Sequence, residues 1–200
     1  MSDGVFAIAI TLLVFNIKVP DLPRDAAARE LPRAVYALWP SLLSYVLSFM
    51  MIGVYWVAHH NIFHLVRRSN RLLLWANLLF LMCVAFVPFP AALLGRYPDQ
   101  RVATIIYGAT LIATGLSLEL LWWYVASGGR MLAAPLHRRV IGQAAFKILT
   151  IPVISVASIG LSFASARASV TLYLLVPLLY VVPDRLDRHW AGTARSAAIT

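Results

Sequence analysis

The run SDGVFAIAITLLVFNIKVP, residues 2–20, decides how the rest of the chain is read. From Gly4 to Val19 it holds one charge, Lys18, and it stops at Pro20, which cannot continue a regular helix. No basic stretch precedes it and no small-residue cleavage site follows, so it reads as a structural helix and not a removable signal. Its opening is the unusual part. A carboxylate at membrane depth is rare unless it is paired or faces a cavity. Ser2 and Asp3 also suit a helix start, where side-chain oxygens cap free N–H groups and meet the positive dipole end.

The whole chain extends this reading. Its 200 residues are 61% hydrophobic and 12% charged, with a mean hydropathy of +0.79, whereas a soluble domain is about 25% charged. An ordinary water-soluble globule is excluded. At roughly 20 apolar residues per crossing, six spans can be drawn: Gly4–Val19, Ala34–Ala58, Leu72–Leu94, Val102–Val125, Val140–Ala164 and Ser169–Val182. The polar segment 20–33 reads as a loop with at most one helical turn. Pro88 and Pro90 should kink or end the third span. Trp122, Trp123 and Tyr124 read as an interfacial belt closing the fourth. No repeat or low-complexity linker divides the chain. The expectation is one membrane domain over 1–183, followed by a polar basic tail over 184–200.

Lys and Arg number 17 against 8 Asp and Glu, a net charge of +9. Sorted by membrane face, nine basic residues fall on the side shared by the termini and seven on the other. The excess favours a cell-membrane protein with both termini in the cytoplasm. Spread over many short loops, the arginines form no single basic face for nucleic acid. Cys83 is the one cysteine and leaves no disulfide framework. No Gly-rich phosphate loop, HExxH helix, GxSxG elbow or catalytic carboxylate pair is found, so nothing supports an enzyme.

Ser2-Asp3-Gly4 followed by VFAIAITLL (5–13), with Trp56, His59-His60, Asn77, Pro88-Phe89 and Tyr107, resembles the prokaryotic branch of the transmembrane protein 175 family, whose animal member is the endolysosomal potassium channel. The likeness covers the first four spans well and the last two only in hydropathy and length. It implies an all-α membrane protein with six transmembrane helices per subunit, a homotetramer in the lipid bilayer whose first helix lines a central pore. The expected passenger is potassium, with no further cofactor. The resemblance carries the constriction to Ile8, the next layer to Leu12 and a selectivity contribution to Thr11. Phe15 stands as a third layer where leucine is more common. The family also places an Arg four residues before a Phe-Ser-Asp triplet; Met1 stands here at the Phe position, without that Arg.

Helix geometry is compatible with the face that the resemblance implies. Spacing i, i+4, i+7 puts Ile8, Leu12 and Phe15 in one stripe with Thr11 beside it. A narrow apolar ring gates by dewetting, since an ion must shed water to pass it. With no TVGYG-type carbonyl filter in the chain, preference for potassium over sodium should be modest. Two other readings of the stripe stand beside this one: a secondary transporter, for which Pro88 and Pro90 give footing, and a non-conducting scaffold, for which the stripe is packing alone.

Ser2, Asp3, His59, His60 and Asn77 are expected to form a buried polar cluster that fixes the first helix, with an imidazole paired to Asp3. Such a cluster could make opening sensitive to pH, because histidine titrates near neutrality. Adjacent rings on a helix point apart, and no further ligand is read at metal spacing in that segment, so no metal is expected. Glu119 and Lys147, the charges well inside spans four and five, either pair with each other or snorkel to an interface. Asn16 and Lys18 are placed at a pore mouth.

Overall fold

The computed structural model describes residues 1–127, 132 and 137–181. Among them all regular structure is helical, apart from one antiparallel bridge between Val66 and Leu132. The tail over 184–200 and Arg130 of the charge count lie outside the described residues.

Helix α1 covers Ser2–Leu12 and tightens into a 3-10 turn over Leu13–Asn16. Its N-cap is Met1, without a side-chain capping bond, so Ser2 and Asp3 do not cap the helix. They sit in its first turn and point to other helices. The segment expected to be a loop is largely a 14-residue helix, α2, Arg24–Ala37. Ala26–Ala28, Arg29, Glu30 and Leu31 are strong helix formers, and Asp25 meets the dipole in the first turn. Their combined propensity outweighs the internal Pro32. None of its residues is buried.

Helix α3, Trp39–Leu65, starts with Pro40 in its first turn and runs past the expected end at Ala58. His59, His60 and His64 are therefore helical residues. Helix α4, Arg71–Phe86, is capped by Asn70, whose side chain accepts from the Leu73 N–H at 2.9 Å. The expected break follows at Val87, before α5, Pro88–Arg96. Pro88 and Pro90 bring no N–H, and the Val87 N–H turns back to Val84 O at 3.1 Å. Three more helices complete the bundle: α6 (Arg101–Ser127), α7 (Arg138–Ser162) and α8 (Ala166–Val181).

Four helical segments are long and apolar enough to cross a membrane: α3, the α4–α5 pair, α6 and α7. The other two drawn spans are shorter apolar segments, Ser2–Asn16 and Ala166–Pro177.

Small residues set how closely the helices approach. A Cβ on Gly115 of α6 would fall onto the Pro152 ring of α7, and one on Gly108 would meet the Tyr173 hydroxyl of α8. Ser44 Oγ donates to Ala91 O at 2.6 Å, tying α3 to α5. Trp122 belongs to this core and not to an interfacial belt: it is 1% exposed and donates Nε1–H to Ile141 O at 3.2 Å. Trp123 alone of the three points outward, while the Tyr124 hydroxyl accepts from Asn70 Nδ2 at 2.7 Å. At the opposite end, in the α5–α6 turn, Asp99 accepts from Arg167 Nε at 2.6 Å. That guanidinium holds the exposed carboxyl below the usual carboxylate range.

Candidate pore face and its anchor

Helix α1 has two unlike faces. Phe6, Ala9 and Leu13 are buried against the bundle at 2% exposure or less. On the other side Ile8, Leu12 and Phe15 are 61%, 45% and 75% exposed, with Gly4, Ala7 and Thr11 also open. An apolar stripe thus runs the length of the helix with no cover from its own chain. Within it the Thr11 hydroxyl lies 2.9 Å from both Ala7 O and Ile8 O. Its single proton is committed to the helix backbone, which leaves the oxygen lone pairs as acceptors on the open face.

Two polar ties hold the start of α1. In the first, His59 Nε2–H donates to Asn77 Oδ1 at 2.8 Å, and Asn77 Nδ2 donates to Ser2 Oγ at 3.2 Å. This path crosses from α3 through α4 to α1. The His59 ring stacks on Phe80 (5.3 Å, 12°) and also meets Phe6 and Phe63. In the second tie, Trp56 Nε1–H donates to Asp3 Oδ1 at 2.9 Å.

The expected cluster is therefore two separate groups. Asp3 pairs with an indole and not an imidazole. His60, one residue on from His59 and about 100° around the helix, faces away from Asn77. It stacks on Trp56 at 5.2 Å, and its Nε2 lies 3.0 Å from that of His64. Sequence reading missed Trp56 and His64 in these roles. The available signal was spacing, since both stand one helical turn from His60.

At the far end of α1, Asn16 Nδ2 donates to Pro88 O at 3.1 Å, so Asn16 braces α1 against α5 and does not point into a mouth. Among the described residues no ion pair joins Glu119 to Lys147. The Lys147 ammonium sits 5.9 Å above the Tyr180 ring. Among the described residues nothing bonds to the buried Glu119 Oε2. A cavity of about 420 Å³ opens between α3, α6, α7 and α8, lined mainly by apolar side chains, with no residue of α1 in its wall.

A helical bundle with four membrane-length segments, pinning an apolar helix by both ends and leaving one face of it open, has the build of a polytopic membrane protein. The family model described as the endosomal/lysosomal potassium channel TMEM175 matches residues 1–88, which hold α1 and every side chain of its two N-terminal ties. A protein named as a potassium channel from Streptomyces collinus is 39% identical over 187 residues, covering 90% of this chain and 87% of that one. Another so named, from Chamaesiphon minutus, is 38% identical over 184 residues and covers 90% of each. The crystal structure of a lysosomal potassium-selective channel TMEM175 homolog from Chamaesiphon minutus matches with a TM-score of 0.78 at 36% identity, over 90% of this chain and 92% of that one. The chain belongs to the TMEM175 family of channels.

Proposed function

We propose that this chain is one subunit of a homotetrameric, potassium-permeable cation channel in the cell membrane, with α1 lining the pore. The uncovered stripe on α1, opposite a face buried at 2% or less, carries the reading. Four copies around an axis bring Ile8, Leu12 and Phe15 into successive apolar rings, with a ring of Thr11 oxygens between the first two. The apolar rings gate by excluding water. The threonine layer offers oxygen to a partly dehydrated ion and gives potassium a modest advantage over sodium.

All six apolar segments cross the membrane in this reading. Residues 2–16 of α1 and its 3-10 turn span about 25 Å, at about 1.5 Å per α-helical and 2.0 Å per 3-10 residue, short of a hydrocarbon core of about 30 Å. A short helix is tolerable where protein, not lipid, surrounds it. The domain extends over 1–183 with the tail beyond it, both termini on the cytoplasmic side, and the activity is conduction without an enzymatic step.

A transporter draws support from the break at Val87, but the Pro88 carbonyl there is taken up by Asn16 and the large cavity offers few polar groups to a hydrophilic substrate. The test is Ile8→Asn in planar bilayers under bi-ionic potassium and sodium. A pore ring predicts a higher resting conductance and a changed reversal potential. Assembled Ile8→Asn protein identical to the parent in unitary current and reversal potential would remove Ile8 from the pore.

A further inference from the structure

We propose that His60 and His64 form a two-imidazole site for a divalent transition-metal ion with right-angled coordination, Cu²⁺ ahead of Ni²⁺ and Zn²⁺. The residues stand one turn apart on α3, both exposed, the spacing that lets two helical histidines hold one ion. Their Nε2 atoms are 3.0 Å apart, their ring centroids 4.5 Å, and the rings are inclined at 82°.

These distances distinguish between arrangements. With imidazole–metal bonds of about 2.0–2.1 Å, a right angle at the ion needs nitrogens about 2.9 Å and centroids about 4.5 Å apart. A tetrahedral angle with the same bonds needs about 3.4 Å and about 5.2 Å. Two rings aimed straight at each other through an N–H···N bond of this length would hold their centroids beyond about 5 Å. Both rings are therefore tilted off the line between their nitrogens, as two ligands at a right angle would be. Square-planar and tetragonal ions with nitrogen ligands are Cu²⁺ and Ni²⁺, and Cu²⁺ heads the affinity order.

The site is also held in place. The Trp56 indole stacks on His60 at 28° and donates its N–H to Asp3 on α1. An ion bound by the two histidines fixes the ring on which Trp56 rests, and so acts on the start of α1. The proposal does not depend on what passes through the protein.

Cu²⁺ titration of the purified full chain in detergent, read by low-temperature electron paramagnetic resonance, tests it. The expected result is one Cu²⁺ per chain bound to the histidine pair, with splitting from two equatorial imidazole nitrogens. His64→Gln should lose one of them and weaken binding by about tenfold or more, since even the outer partners of a metal ligand are worth about 10–100-fold. His137→Gln, at the start of α7, should change neither. A parent spectrum with fewer than two imidazole nitrogens overturns the proposal without any variant. So does a folded His64→Gln protein with the parent's spectrum and affinity.

Discussion

Asn77 and Asp3 each accept one hydrogen bond in the two ties that hold α1, and burial separates what each contributes. Asn77→Ala strands the Nε2–H of a histidine that is 4% exposed, a loss of about 1–3 kcal/mol for a buried unsatisfied group. Asp3→Ala frees an indole N–H on Trp56, which is 38% exposed. Water can replace that acceptor, so the loss should stay below about 1 kcal/mol. Thermal unfolding in detergent should rank the two in that order, and an equal drop in Tm would contradict the burial argument. Thr11→Val belongs to the same scale. It removes the hydroxyl oxygen while nearly keeping the shape, and bi-ionic reversal potentials should move toward equal permeability with expression unchanged. Helical spacing grouped Ile8, Leu12 and Phe15 into one stripe, and the family resemblance singled that stripe out for the pore. The Asp3–Trp56 bond was not, because it joins residues 53 positions apart and no local pattern reports such a contact.

Among the helices, close approach is set where glycine meets a rigid partner. Gly115→Ala drives a methyl group into the Pro152 ring, which has no rotamer to escape into, and should cost about 1–3 kcal/mol by overpacking. Gly53→Ala in α3 meets nothing within 4 Å and should be neutral, or stabilising by up to about 1 kcal/mol through helix propensity. Tm values for the two variants should therefore move apart; a Gly115→Ala protein as stable as Gly53→Ala would show that α6 and α7 can separate freely. The sequence pattern was informative where chemistry is local. Pro88 and Pro90, which bring no N–H, announced the α4–α5 break after Val87, and apolar length announced α3, α6 and α7. It misled at α2, where charges and the prolines Pro20, Pro23 and Pro32 resembled a loop while alanines held the helix. It misled again at Trp122, since an aromatic cluster at a helix end looks interfacial until the Ile141 carbonyl is found beside one ring.

For the molecule as a whole, membrane character was legible from composition, whereas the open face of α1 needed the packed bundle to become visible. The proposed tetramer is the arrangement that would cover this stripe with protein instead of lipid. Mechanically, α1 resembles a beam pinned near both ends. Ser2 and Asp3 are fastened to α4 and α3, and Asn16 is fastened to α5. Between those points apolar contacts at Phe6, Ala9 and Leu13, with Val5 and Ile10 also packed against the core, resist displacement, and such contacts carry no direction. A beam so held bows at its middle more readily than it tilts, so sideways travel is largest around Ile8 and Thr11 and smallest at the fastened ends. Asn16→Ala should release one pin and move the greatest travel outward. Amide hydrogen exchange over residues 12–17 should quicken in that variant while residues 3–7 keep the parent's rates. With both pins intact, the stretch of α1 proposed to form the constriction is also the stretch expected to yield most, so small flexure there should change the bore of the proposed conduit.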